Sequence, residues 1–160
     1  MKTTKLKQLF CLVICLVIFI CGCGNKTEYT AEELCDTIVD HVFSGQLTTT
    51  VSEKEIQNYF EFDSKMLLDY KVVLRTQDEK YDMVAVFRPD GKENAQKILE
   101  GINKTVSSSA NMIKSLSAAE YMKINNRLLY EIDGIYILII ADDYNIPKNY
   151  LEEIKAKEVK

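Results

Sequence analysis

The chain predicts an α+β domain, an antiparallel sheet of about four strands with helices packed on it. Two stretches of β-forming residues each fold back on themselves, and a long amphipathic helical pattern separates them. The second of these hairpins carries Asp133-Gly134, the strongest turn signal in the sequence, between two apolar runs.

Taken in order, Thr30 and Glu33 have the spacing of a capping box, and Leu34, Cys35, Ile38, Val39 and Val42 follow at helical spacing to about Phe43. Gly45 to Thr50 reads as a break. Ser52 and Glu55 repeat the capping box before a short helix that ends near Phe60. Leu68 to Thr76 is rich in β-formers, residues 77–80 turn the chain, and Tyr81, Met83, Ala85 and Phe87 alternate along a return strand to Arg88.

Pro89-Asp90-Gly91 closes that strand, and Asp90 with Glu93 has the spacing of a third capping box. Ile98, Leu99, Ile102, Val106, Ala110 and Ile113 then mark one face of a helix from about Lys92 to Leu116. Ser117 and Glu120 restart a short helix to Ile124, and a strand runs from Arg127 to Ile132. The partner strand, Ile135 to Ala141, is apolar at every position, which places it inside the sheet with both faces wanting cover. The long helix can cover one face. The other must meet the first or last helix, or stay open as a patch awaiting a partner. Pro147 opens a final helix to about Ala156.

Ahead of this domain stands a different kind of segment. Lys2, Lys5 and Lys7 come without an acid, Leu9 to Ile20 is unbroken apolar sequence, and Gly22 sits directly before Cys23. A charged start, a 7–15-residue apolar centre and a small residue at the cut describe a secretory signal. A cysteine just after the cut supplies the thiol for a diacylglycerol thioether. The expected organisation is a signal peptide over residues 1–22, a lipidated tether over 23–29 and a single domain over 30–160. A spanning helix needs roughly 20 apolar residues, more than this run offers. Cys21 is the other possible acceptor, but Ile20 before it is too large for a small-residue cut.

The expected location is the outer face of the cytoplasmic membrane, with Cys23 as the lipid anchor. Cleavage removes three of the 20 basic residues and none of the 24 acids, leaving 17 against 24, a net charge of −7. That sign argues against nucleic acid as a partner. Cys11, Cys15 and Cys21 leave with the signal, so Cys35 is the one free thiol and no intrachain disulfide can form. The fold must be held by its core.

The lipoprotein signal, an amphipathic first helix, a short acidic helix ending in Tyr59-Phe60 and two hairpins around a long helix resemble a family of small Gram-positive lipoproteins defined only as a domain of unknown function. The likeness runs from about Thr30 to Asn145 and rests on the first helix, on Tyr81 to Phe87, and on Ile135 to Ala141 followed by Asp142-Asp143. It implies envelope location and a single domain, and it brings no catalytic residues.

The residues themselves offer little chemistry. Cys35 and His41 share a helix but stand about 9 Å apart along its axis and about 120° around it, so they form no nucleophile–base pair. Zinc would need about four N/S ligands, which the chain cannot supply, and no metal or cofactor is expected. Asp133, Asp142 and Asp143, with Asn145, make the best acidic cluster. A calcium loop fails there, because Pro147 and Lys148 replace a ligand and the required glycine. Ser107-Ser108-Ser109 reads as the polar face of the long helix. The nine tyrosines are spread over nearly every element, and an exposed group of them would mark an interface.

Two functional classes remain. One is a binding or scaffolding module with a protein partner at the cell surface. The other is an exported hydrolase acting on envelope material, since two carboxylates facing across a cleft can cleave a glycosidic bond.

Overall fold

The computed structural model of the chain describes residues 29–76 and 81–158. The signal peptide, Cys23, the tether before Tyr29 and the turn at 77–80 lie outside the described residues.

The elements are α1 (Ala31–Val42), β1 (Thr48–Thr50), α2 (Glu53–Phe60), a 3-10 turn (Ser64–Met66), β2 (Leu67–Arg75), β3 (Met83–Pro89), α3 (Gly91–Ile113), α4 (Ala118–Asn125), β4 (Leu128–Ile132), β5 (Ile135–Ile140) and α5 (Asn145–Glu158). The fold is α+β, as the pattern predicts. Five strands, one more than expected, form a wholly antiparallel sheet in the order β1-β2-β3-β5-β4. The added strand is β1, which pairs Thr48 with Arg75 and Thr50 with Val73. All three of its residues are exposed, so it carries no apolar alternation that a pattern could detect.

The Asp133-Gly134 turn forms as expected, with both residues at positive φ (49° and 76°), the geometry that favours this dipeptide in a two-residue hairpin. It sets Ile132 opposite Ile135. On its other side β5 pairs with β3, with Met83 opposite Ile140 and Phe87 opposite Tyr136, so β5 is an interior strand.

Both of its faces are covered. Tyr136, Leu138 and Ile140 point into one core, built with α2, α3 and α4 and including Ile98, Ile102 and Val106 of the long helix. Ile135, Ile137 and Ile139 point into a second, built with α1 and α5 through Leu34, Ile38, Leu151 and Ile154. The domain therefore has three layers. First and last helices together fill the face that the long helix leaves, and no open patch of Tyr136, Leu138 and Ile140 remains.

Two capping boxes form as the spacing predicts, at Thr30–Glu33 and Ser52–Glu55. The third does not. Gly91 takes a positive φ of 83°, which swings the chain so that Asp90 makes no side-chain cap, and its carbonyl instead accepts from the Asn94 amide at 2.8 Å. Glu93 pairs outward with Lys97 at 3.2 Å.

Gly101 has a separate duty. A Cβ there would lie 2.6 Å from Phe62 Cδ1 and 2.7 Å from the Phe60 carbonyl oxygen. Only glycine lets the end of α2 cross α3 this closely. The crossing seats Phe60 and Phe62 against Phe87 at ring-centre distances of 4.9 and 5.3 Å.

Candidate functional site

A groove of about 410 Å³ opens where the last turn of α2, the C-terminal half of α3 and the far end of the β2–β3 hairpin meet. Leu74, Met83, Val106 and Ile124 give it apolar walls, and Tyr59, Tyr81 and Met112 stand at it with 40, 38 and 64% of their surface exposed. Alternation along β2 and β3 turns Leu74 and Met83 toward the α3 side. Helical spacing puts Thr105, Ser108, Ser109 and Met112 along one stripe of α3. The Thr105 hydroxyl donates to the Tyr59 carbonyl at 2.7 Å, tying α3 to the end of α2.

An ion-pair cluster sits at one end of this groove. Arg75 closes β2 and Asp82 precedes β3, and the Arg75 backbone N–H donates to the Asp82 carbonyl at 3.1 Å. Their side chains meet at 3.0 Å, and the Lys123 ammonium of α4 reaches the other Asp82 oxygen. Lys123 also contacts Glu120 at 2.9 Å and Asp142 at 3.3 Å, while Arg75 contacts Asp142 at 3.5 Å and the Gln46 side chain at 2.9 Å. Asp82 is only 2% exposed and Lys123 7%. Burial alone would lower the Lys123 pKa, but hydrogen bonds and charges from Asp82 and Glu120 outweigh it and hold the ammonium above its ordinary value. The Tyr144 hydroxyl donates to the Lys123 carbonyl at 2.7 Å, locking α4 to the segment after β5.

The acids singled out from the sequence do not all come together: Asp142 and Asp143 are neighbours, and Asp133 stands apart from both. Asp133 sits in the β4–β5 turn and Asp142 just beyond the opposite end of β5, about 20 Å away for a strand of this length. Asp142 belongs to the ion-pair cluster, and Asp143 accepts the Asn145 backbone N–H at 2.8 Å at the start of α5. The expected acidic cluster is thus corrected: Asp133 is held away from it by the length of β5. No group of three or more His, Cys, Asp and Glu among the described residues could hold a metal ion.

Cys35 is buried in α1, with its sulfur 3.9 Å from the Val84 carbonyl, and burial pushes its thiol pKa up to about 12. His41 lies exposed against the Tyr150 ring, 5.4 Å between centres. The thiol is a packing group. In the folded protein Cys35 is expected to resist a thiol-specific reagent at pH 8 and to react promptly in urea. Rapid labelling without denaturant would contradict this.

Sequence reading missed the groove and its ion pairs. Asp82 gave a signal, since it holds an inward position in register with Val84 and Val86, and a carboxylate there demands buried partners. Lys123, the partner, had none. Ser108 and Ser109, expected on a purely solvated face, line the groove.

Among the described residues no helix is long and apolar enough to cross a membrane. Comparison with protein-family models, with curated proteins and with solved structures finds no match.

Proposed function

We propose that the chain is an exported lipoprotein, cut between Gly22 and Cys23 and held by a diacylglycerol thioether at Cys23, whose single domain binds a ligand in the groove. The groove itself supports binding over catalysis. Its carboxylates are committed to ion pairs, Glu61 with Lys104 and Asp82 with Arg75 and Lys123. A glycosidase needs two carboxylates free to face a substrate across a cleft, and both of these are engaged by basic side chains. The hydrolase reading asked for two carboxylates, from acids such as Asp133, Asp142 and Asp143, to face each other across a cleft, and none of these three lines the groove.

The anchor rests on the order of lysines, apolar run, Gly22 and Cys23. A single acyl chain binds a bilayer only marginally, and the two chains of a diacylglycerol give a stable hold. The start of the domain suits a tethered protein. Arg88 donates to the Tyr29 carbonyl, and the Ala31 N–H donates to Asp69 at 2.5 Å, so the chain is fixed to the sheet where it enters the fold.

Cys23→Ala is expected to abolish incorporation of labelled fatty acid and to move the protein out of the membrane fraction. Label retained on that variant would sink the anchor.

A further inference from the structure

We propose that β4 is a contact edge for a second copy of this chain, the two β4 strands pairing antiparallel about a two-fold axis at Leu129. The inference goes beyond the ligand groove and does not rest on it.

The backbone supplies the template. β4 ends the strand order β1-β2-β3-β5-β4, so one of its sides has no strand beside it. The two-residue turn makes Ile132 and Ile135 a hydrogen-bonded pair, and alternation then bonds Tyr130 and Leu128 to β5 as well. The N–H and C=O groups of Leu129 and Glu131 therefore point outward, and among the described residues nothing bonds to them. β1, at the other edge of the sheet, is only three residues long and a poorer template.

Side chains select the partner. Arg127, directly before β4, shares one face of the strand with Leu129 and Glu131. Arg127 and Glu131 stand about 14 Å apart along it, too far to pair with each other. Among the described residues neither makes an ion pair, and the Arg127 guanidinium donates to the Asn125 carbonyl at 3.4 Å. A charge on an edge strand ordinarily keeps other strands away. Here the order basic, apolar, acidic is its own complement when reversed. With Leu129 opposite Leu129, Arg127 of each copy faces Glu131 of the other, so the contact is made twice. An axis at Glu131 would set two carboxylates against each other, which destabilises a sheet. An axis at Tyr130 would leave each Glu131 opposite Leu129.

The axis of such a pair runs perpendicular to the sheet, so both copies carry α1 on the same face. Both anchors proposed above then enter one membrane, which raises the concentration at which the copies meet. Exposed ion pairs contribute little each, so the pairing is reversible and not obligate.

The full acylated chain, in enough detergent to separate the anchors, is followed by sedimentation over a concentration series. It is expected to pass from monomer to dimer. Arg127→Glu and Glu131→Arg should each weaken the dimer at least about tenfold with no change in melting temperature, because each sets like charges opposite one another. Mixing the two variants should restore association, and so should both exchanges made in one chain. Rescue on mixing is decisive, since it requires the two positions to face each other across copies.

A chain that stays monomeric throughout overturns the proposal. So does a dimer indifferent to both exchanges, which would sit on another surface or on the anchors. Loss with Arg127→Glu but not with Glu131→Arg would fit an axis at Tyr130, with Arg127 against Asp133, and overturns the register stated here. Single variants that dissociate and are not rescued by mixing overturn the facing of Arg127 and Glu131.

Discussion

Asp82→Ala is expected to cost about 3 kcal/mol of folding stability, because it removes the most buried carboxylate between Arg75 and Lys123 and leaves them only the more exposed Asp142 in common. An exposed pair provides the contrast. Asp36 holds Lys71 at 2.7 Å with half its own side chain in water, and Asp36→Ala should cost under about 1 kcal/mol. Urea denaturation at pH 7 separates the two, and a loss below about 1 kcal/mol for Asp82→Ala would show that the cluster is solvated. The pH dependence has a definite sign. The folded Lys123 pKa is raised, so its contribution is complete below the ordinary lysine value of about 10.4 and is lost as pH climbs through the raised one. The wild-type protein should weaken over that alkaline interval, and Asp82→Ala should weaken less steeply there.

Phe87→Ala is expected to cost a similar amount, about 3–5 kcal/mol, by a different route. Phe87 is fully buried on β3, with Phe60 at 4.9 Å and Phe62 at 5.3 Å, both edge-on. Removing its ring leaves a cavity that the two neighbours cannot close, since Gly101 already fixes where Phe62 packs. Phe87→Leu keeps much of the volume and should cost markedly less. Against a usual total of 5–15 kcal/mol, the alanine variant should unfold at a clearly lower urea concentration, and an unshifted midpoint would contradict the packing.

Most of the fold was legible because its signals are local. The Asp133-Gly134 turn, the two capping boxes and the 3/4 spacing of Ile98, Ile102 and Val106 each need only a few neighbouring residues to be read. What was illegible depends on residues far apart in the chain. β1 exists because Thr48–Thr50 meets the end of β2, not because threonine at three exposed positions declares a strand. Asp90 and Glu93 have the spacing of a cap, yet Gly91 redirects the backbone between them. The site was harder still. Lys123 becomes buried only when α4 packs beneath the β2–β3 hairpin, and the groove exists only where three separate segments converge. The acids were misjudged for the opposite reason. Asp133 and Asp142 are near in sequence, but an intervening strand holds them at its two ends.

The strand order also shapes how the chain reaches this state. β2–β3 and β4–β5 are hairpins that can close from nearby residues, but the sheet is completed by pairing β3 with β5 across about 50 residues. Contacts of such separation form late, after the entropy of a long loop has been met. Until then β5 shows a bare edge of Ile135 to Ile140, apolar throughout and free of proline and charge, the kind of segment that templates strands from other molecules. The hazard belongs to the newly made chain. Slowing the meeting of the two hairpins should therefore lower the yield of folded protein more than it lowers the stability of the molecules that succeed.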